Sequence, residues 1–411
     1  MAKTMNETAT DHVSARKVAY QRTDRELPRA LRSILALEDF EVAARRILPR
    51  MLYGYISGAV ETGSAHMDAR NAYADYALLP STLVDVASRS QTRTLLGRTY
   101  DAPFGIPPIG GAAVAAYDGD IEIASAVARA NIPGCLSAAS LTRLEDVRPH
   151  GPTTWFQGYL PGDQRRIDTM LDRVAAAGYD TLVVTVDVPV LGNRENNVRN
   201  GYSTPFVLTP RLMYDCATHP RWLVGTLART FAKRGMMHFE NIDATRGPPI
   251  FSKSLARNSA DRDRLSWPHI AAIRDRWKGK LILKGVLTAR DAGLAREHGA
   301  DAVVVSNHGG RQLDYAVSPL SVLPEIKAVA GGMAVIIDGG IRRGTDVLKA
   351  LALGADFCLI GRPFMFAAVI GGRAAVGHGI DLLKDEINRD MALMGITALD
   401  ELTPDQLRRR R

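Results

Sequence analysis

Short apolar runs alternate with helix-type segments along the chain from about residue 102 onward. The runs are rich in Val, Ile and Leu, lack polar alternation and recur at roughly thirty-residue intervals, which is typical of strands buried on both faces of a parallel sheet. Ala-, Leu- and Arg-rich segments between them, several ending at a glycine, predict helices. The predicted strands are 103–107, 133–137, 154–158, 181–186, 280–284, 302–306, 333–337 and 356–360. Strands that alternate with helices in this way predict an α/β fold, a (β/α)8 or TIM barrel.

Two regions interrupt this alternation. We predict a polar N-terminal tail at 1–36, then a barrel domain at 37–400 that begins with a helical extension, and a basic C-terminal tail at 401–411. Residues 203–266, between the fourth and fifth strands, form an insertion much longer than the connection requires, and such loops are usually functional or disordered.

Within the insertion, the segment RWLVGTLARTFAKRG predicts a basic amphipathic helix. Trp222, Leu223, Leu227 and Phe231 alternate there with arginines and a lysine. One interpretation is that 206–236 contacts anionic lipid at the inner face of the cell membrane. The alternative is a helix that covers the barrel and makes subunit contacts.

Composition restricts the class of protein. The 411 residues are 46% hydrophobic and 23% charged, which is ordinary for a globular protein and excludes general disorder. Cys135, Cys216 and Cys358 are too few and too scattered for a disulfide framework or a zinc site, so we predict a reducing, cytoplasmic compartment and no metal site. The first residues lack the apolar core of a signal peptide. The net charge of +8 is compatible with nucleic acid, anionic lipid or acidic small molecules as partners.

Polar residues follow the predicted strands at the point where each strand ends. In a (β/α)8 barrel the carboxyl ends of the strands meet at one face, which carries the active site. Lys284 would be costly at a buried strand end unless it meets an anion or an electron-rich ring. For His308 the alternative is a histidine satisfied by neighbouring backbone. The residues at these ends are Thr185, Asp187, Lys284, Ser306, His308, Asp338, Gly361 and Arg362.

The ends of the seventh and eighth strands predict a phosphate site. IIDGGIRRGTD and LIGRP combine glycines, free amide groups at a helix start and the cations Arg342, Arg343 and Arg362. Loops after strands seven and eight are the usual phosphate site of such barrels. Tight turns without a ligand are the alternative explanation of the glycines.

Four segments carry a resemblance to a known family. SNHGGRQLD (306–314), LKGVLTARDA (283–292), IIDGGIRRGTDVLKALALGA (336–355) and LIGRPF (359–364) resemble the FMN-dependent α-hydroxy acid dehydrogenases and oxidases. The resemblance extends from roughly residue 40 to 400. It implies an FMN whose ring lies across the barrel mouth, a small-molecule 2-hydroxy acid substrate and a homo-oligomer, a tetramer.

The resemblance also implies a role for individual residues. His308 would be the active-site base, oriented by Asp187, and Lys284 would stabilise negative charge on the reduced flavin. Tyr53 is the alternative to Tyr55 if the loop alignment slips. The other residues implied to contact substrate are Tyr55, Tyr159, Arg194 and Arg311. The residues implied to bind FMN are Pro108, Ile109, Gly110, Ser137, Gln157, Thr185, Lys284, Ser306, Asp338, Gly340, Arg342, Gly361 and Arg362.

The implied reaction is the oxidation of an L-2-hydroxy acid to the 2-oxo acid. Gly110 and Ala139 are smaller than the residues of many oxidases, which favours a bulky or aromatic, mandelate-like substrate. A quinone or other electron-transfer acceptor is the favoured oxidant of the reduced FMN. The alternative is an oxygen-dependent oxidase that produces hydrogen peroxide.

Two functions from other classes fit less well. An FMN-dependent isomerase without net redox change would not need the paired arginines Arg194 and Arg311. Nucleic-acid binding is suggested only by the net charge and the terminal LRRRR at 407–411. The polar residues at the strand ends argue against it, so we predict no nucleic-acid partner.

Overall fold

The computed structural model describes residues 27–203, 206–207, 209–252 and 261–410. Its main feature is a sheet of eight parallel strands in which each strand from the second onward pairs with the next along the chain, while the first pairs with the last. A bridge between Ile106 and Gly134 joins the first two strands and closes the sheet. The predicted (β/α)8 barrel is confirmed. The strands are β1 (Phe104–Gly105), β2 (Cys135–Ser137), β3 (Trp155–Gly158), β4 (Thr181–Thr185), β5 (Lys280–Val286), β6 (Ala302–Val305), β7 (Ala334–Asp338) and β8 (Phe357–Leu359).

Each barrel strand overlaps a predicted apolar run, because the runs are buried on both faces. Every residue of β4 and β6 is buried. In the register of the sheet, Thr185 at the end of β4 lies opposite Lys284 of β5. This register brings the polar residues of neighbouring strand ends side by side.

Helices surround the barrel and extend it at both termini. The α-helices are Asp39–Arg45, Arg50–Ser57, Ser64–Asn71, Ala112–Ala115, Gly119–Arg129, Leu144–Val147, Gln164–Ala176, Glu195–Arg199, Pro210–Ala217, Pro220–Trp222, Arg229–Arg234, Trp267–Arg276, Ala289–Glu297, Pro319–Val329, Gly344–Ala352 and Arg362–Met394. A π-helical stretch, Leu223–Ala228, joins two of them. Short 3-10 helices are Arg29–Leu31, Ala72–Asp75, Arg148–His150, Arg262–Arg264, Leu399–Glu401 and Pro404–Gln406.

The apolar segment Arg362–Met394 is long and apolar enough to cross a membrane by composition alone. Non-helical backbone at Gly371 and Gly372 divides it into two helices. Phe364, Phe366 and many of its other apolar side chains are buried in the barrel's core cluster. The segment is therefore accounted for by packing in the core.

The described parts of both chain ends belong to the folded domain. Leu31 and Ile34, within the predicted N-terminal tail, are buried, whereas 1–26 lies outside the described residues. Leu407–Arg409, in the predicted C-terminal tail, pairs antiparallel with Tyr76–Leu78. Arg93–Leu95 and Arg98–Tyr100 form a separate hairpin.

The helical stretch 220–234 of the insertion packs against the barrel. Trp222 is buried and its indole Nε1 donates to the carbonyl of Val114 at 2.9 Å. Arg234 forms two hydrogen bonds, both 3.0 Å, with Asp118. Leu223, Leu227 and Phe231 also pack on the core. The apolar face predicted from the sequence thus covers the barrel, which agrees with the first part of the alternative interpretation.

Candidate active site

A cavity of about 590 Å³ opens at the carboxyl ends of the strands. Most of the predicted site residues line it, although they come from distant parts of the chain. The predicted residues in its wall are Tyr55, Pro108, Ile109, Gly110, Tyr159, Arg194, Lys284, His308, Arg311, Asp338, Gly340, Arg342, Gly361 and Arg362. The others, Ser137, Gln157, Thr185, Asp187 and Ser306, lie at or next to the ends of the strands, beside residues of this wall.

His308 and Asp187 form a hydrogen-bonded pair. The imidazole Nδ1 lies 3.1 Å from both carboxylate oxygens of Asp187. The close approach of Asp187 depends on Gly285, because a Cβ at that glycine would lie 2.5 Å from the Asp187 side chain. With Nδ1–H donated to the carboxylate, Nε2 is left as the proton acceptor.

Electrostatics keeps this imidazole neutral near pH 7. Burial lowers the pKa of His308, and the positive charge of Lys284 acts in the same direction, while Asp187 opposes both. Burial raises the pKa of Asp187, but His308 and Lys284 outweigh it, so the carboxyl pKa falls below its ordinary value. A neutral histidine beside a carboxylate is the arrangement of a general base.

Lys284 lies at the centre of a buried polar cluster. Its Nζ forms an ion pair with Asp338 at 3.0 Å and donates to the Ser306 hydroxyl at 2.9 Å. Burial favours the neutral amine, but Asp338 and Asp187 together raise the pKa of Lys284 above its ordinary value. The cation is therefore held in place at the floor of the cavity.

Several polar atoms around Lys284 have no hydrogen-bond partner among the described residues. They are Nε2 of Gln157, Oγ1 of Thr185 and Oδ1 of Asp338, and all three atoms are buried. Buried polar groups in native proteins are nearly always paired, and a ligand in the cavity would supply partners for these three atoms. Donors and acceptors at the strand ends fit the polar edges of a flavin ring.

A cluster of arginines is similarly unpaired. Arg311, Arg342 and Arg362 form no ion pair within the described parts of the chain; Arg311 and Arg362 donate to backbone carbonyls such as that of Gly58. Burial and the neighbouring Arg311 and Arg342 lower the pKa of Arg362, and burial together with Arg194 lowers the pKa of Arg311 to about 10. Mutually repelling cations, one buried and two half-buried, fit anionic ligands, here a phosphate and a carboxylate.

The structure distinguishes the two candidate tyrosines. Tyr55 lines the cavity, and the Arg311 guanidinium lies 5.1 Å from its ring centroid. Tyr53 instead donates to Glu41 at 3.0 Å and stacks on Phe366. Tyr55 is therefore the one positioned to contact a ligand in the cavity.

The cavity also contains residues that were not predicted from the sequence, among them Tyr202, Phe206 and Arg262 from the insertion or its edge. Tyr202 stacks on Tyr55 with ring centroids 4.4 Å apart, and Phe206 packs edge-on against Tyr202 at 5.3 Å. The guanidinium of Arg262 lies 4.7 Å from the ring centroid of Tyr159. The only signal in the sequence was the unusual length of the insertion.

Comparison with known proteins identifies the family of this site. A family model described as FMN-dependent dehydrogenase matches residues 44–409. A putative L-lactate dehydrogenase of Mycobacterium tuberculosis is 38% identical over 388 residues, 93% of this chain and 91% of that protein. The (S)-mandelate dehydrogenase of Pseudomonas putida is 34% identical over 377 residues, 91% of this chain and 94% of that protein.

A solved structure agrees with these matches. A crystal structure described as the monotopic membrane protein (S)-mandelate dehydrogenase superposes with a TM-score of 0.85 at 34% identity, covering 92% of this chain and 100% of that one. The unpartnered polar atoms and arginines of the cavity independently fit FMN. The chain belongs to the FMN-dependent dehydrogenase family, in which the proteins similar to it include lactate and mandelate dehydrogenases and a mandelate oxidase, and it is an FMN-dependent oxidoreductase that acts on the CH–OH group of a 2-hydroxy acid.

Proposed function

We propose that the chain oxidises an L-2-hydroxy acid whose substituent is larger than the methyl group of lactate, as in mandelate. The observation that carries this is the small size of the two residues beside the flavin site. A Cβ at Gly110 would lie 3.0 Å from the Ala139 Cβ and 3.5 Å from the Tyr55 hydroxyl. With glycine and alanine there, that space stays open to the substrate.

Different residues of the cavity have different roles in the proposed reaction. Arg194 and Arg311 bind the substrate carboxylate, since forked guanidinium groups suit it. Tyr55 and Tyr159 donate hydrogen bonds to the substrate. Nε2 of His308 takes a proton from the substrate, and Asp187 stabilises the imidazolium that results. FMN, when bound, would accept the two electrons together with the second hydrogen of the CH–OH group.

We propose that the residues implied by the family resemblance to bind FMN do so. Lys284 faces the part of the ring that becomes negative on reduction, while Gln157, Thr185 and Ser137 contact the ring. Arg342 and Arg362 bind the phosphate at the start of the helix that follows β8.

We further propose a quinone as acceptor and a peripheral contact with the inner face of the cell membrane. The described part of the insertion exposes Val207, Met213, Tyr214 and Val224, and the exposed Arg211 adjoins them. Apolar side chains with a neighbouring cation suit an anionic lipid surface. The monotopic mandelate dehydrogenase supports this placement. We also propose that the chain assembles as a homotetramer.

Anaerobic mixing tests the substrate and the acceptor. FMN-loaded protein is mixed with (S)-mandelate or L-lactate, and the loss of flavin absorbance is followed before air or a soluble quinone is added. We expect mandelate to bleach the flavin at least tenfold faster per unit concentration, and quinone to restore the colour faster than air. Faster bleaching by lactate would contradict the large substituent. Immediate recovery in air with hydrogen peroxide would establish the oxidase alternative.

Sedimentation with vesicles tests the membrane contact. In the double variant Met213→Asp/Tyr214→Asp, two exposed apolar side chains of the proposed surface become anionic. We expect its binding to phosphatidylglycerol vesicles to fall at least tenfold, because lost burial and charge repulsion each cost about 1 kcal/mol or more. Leu35→Asp/Leu393→Asp, at exposed leucines outside the insertion, is the matched control. Equal binding of both variants would place the contact elsewhere.

A further inference from the structure

Arg262 brings another positive charge into the cavity. It belongs to the 3-10 turn Arg262–Arg264 near the end of the insertion. Its guanidinium lies over the ring of Tyr159, which follows β3, and both residues line the cavity wall. No role assigned above to the site uses this charge.

The charge of Arg262 has no acidic partner within the described residues. The nearby arginines differ in this respect, since Arg264 pairs with Asp261 and Arg166 pairs with Asp243. Burial lowers the pKa of Arg262, Arg166 lowers it further, and only Tyr159 acts in the opposite direction. A half-buried cation that rests on one aromatic ring is in place to bind an anion from the cavity.

The site already contains the cations that a substrate with a single carboxylate needs. Arg194 and Arg311 are linked to each other, since the Nε of Arg194 donates to the Arg311 carbonyl at 3.1 Å. In the proposed function this pair binds the carboxylate next to the reacting carbon. Arg262 sits apart from the pair, over Tyr159, so its charge exceeds what one carboxylate needs.

We propose that Arg262 determines specificity by binding a second carboxylate at the far end of the substrate's 2-substituent. The preferred substrates are then 2-hydroxy acids with an additional carboxylate. This inference rests on the proposed function, and it agrees with the room left by Gly110 and Ala139. A carboxylate fits better than a phosphate, because the single positive charge of one guanidinium balances a carboxylate but not the larger negative charge of a phosphate group.

A matched pair of substrates tests this role. (S)-2-Hydroxyglutarate and (S)-2-hydroxypentanoate share a five-carbon chain and differ in a terminal carboxylate or methyl group. We expect the FMN-loaded wild-type protein to prefer the dicarboxylate at least tenfold in kcat/KM for flavin reduction. Arg262→Met should abolish this preference and Arg262→Lys should keep part of it. Arg264→Met, in the same turn, is the control that should leave the ratio unchanged.

Comparing two substrates within one variant cancels any general loss of activity. A second readout is the change in the flavin absorbance spectrum on titration with the products, 2-oxoglutarate and 2-oxopentanoate, which needs no turnover. If Arg262→Met does not retain FMN, Arg262→Gln replaces it. A wild-type preference for the monocarboxylate, or a ratio that Arg262→Met leaves unchanged, overturns the proposal. Failure of every hydroxy acid to bleach the flavin would instead contradict the proposed function.

Discussion

His308→Ala is expected to lower the rate of flavin reduction by about 10²–10⁴-fold, the usual contribution of a general base. The imidazole is the neutral group whose Nε2 is free to take a proton, because Nδ1 is bonded to Asp187. FMN should remain bound, since the polar atoms and arginines that fit FMN lie on other residues. Stopped-flow absorbance with saturating substrate measures the rate, and the absorbance spectrum measures the bound flavin.

Asp187→Asn is the companion variant to His308→Ala. It keeps the shape of the side chain but removes the charge that stabilises the imidazolium, so we expect a smaller loss of rate than for His308→Ala. Reduction of His308→Ala at a rate within a few-fold of wild type would show that another group removes the proton.

Lys284→Met is expected to weaken both FMN binding and flavin reduction. Methionine approximates the length of lysine but leaves the Asp338 carboxylate buried without its 3.0 Å ion pair. Breaking a buried ion pair by removing one partner costs about 3–5 kcal/mol. We expect a lower thermal unfolding temperature, and at least a hundredfold slower reduction by substrate, because the positive charge beside the flavin is lost. Fluorescence quenching measures the Kd for FMN.

Two further variants separate the role of the Lys284 charge from general destabilisation. Lys280→Met removes an exposed lysine from the same strand, where Lys280 pairs with Asp301, and should leave FMN binding unchanged. Lys284→Met/Asp338→Asn removes both charges and should recover part of the lost stability without restoring the reduction rate. Wild-type FMN affinity and rate in Lys284→Met would refute the role of the lysine.

The barrel could be predicted from the sequence because its strands are buried on both faces. Runs such as 302–306 show this directly, since no residue of β6 is exposed. Once the strands were placed, the convergence of His308, Lys284 and Asp338 followed from the geometry of parallel strands. The phosphate site was also predicted from the ends of the seventh and eighth strands, whereas the assignment of the other residues to FMN or to substrate came from the family resemblance.

The insertion could not be predicted to the same depth, because its residues lack the alternation of strands and helices. Tyr202, Phe206 and Arg262 lie close to the catalytic face only through tertiary packing. The helix around Trp222 shows a second limit: amphipathicity identifies an apolar face but not what covers it. The carbonyl of Val114 that accepts from the Trp222 indole lies about a hundred residues earlier in the chain and has no sequence signature.

The attachment of the helical stretch 220–234 to the barrel has a consequence for ligand affinity. Ordering a backbone residue costs about 1–2 kcal/mol of conformational entropy. For this stretch the cost arises during folding, because the buried Trp222 and the Arg234–Asp118 pair hold it against the barrel. Val114, which accepts the Trp222 hydrogen bond, lines the cavity. A substrate therefore meets a wall that folding has already ordered, so more of its contact energy appears as binding.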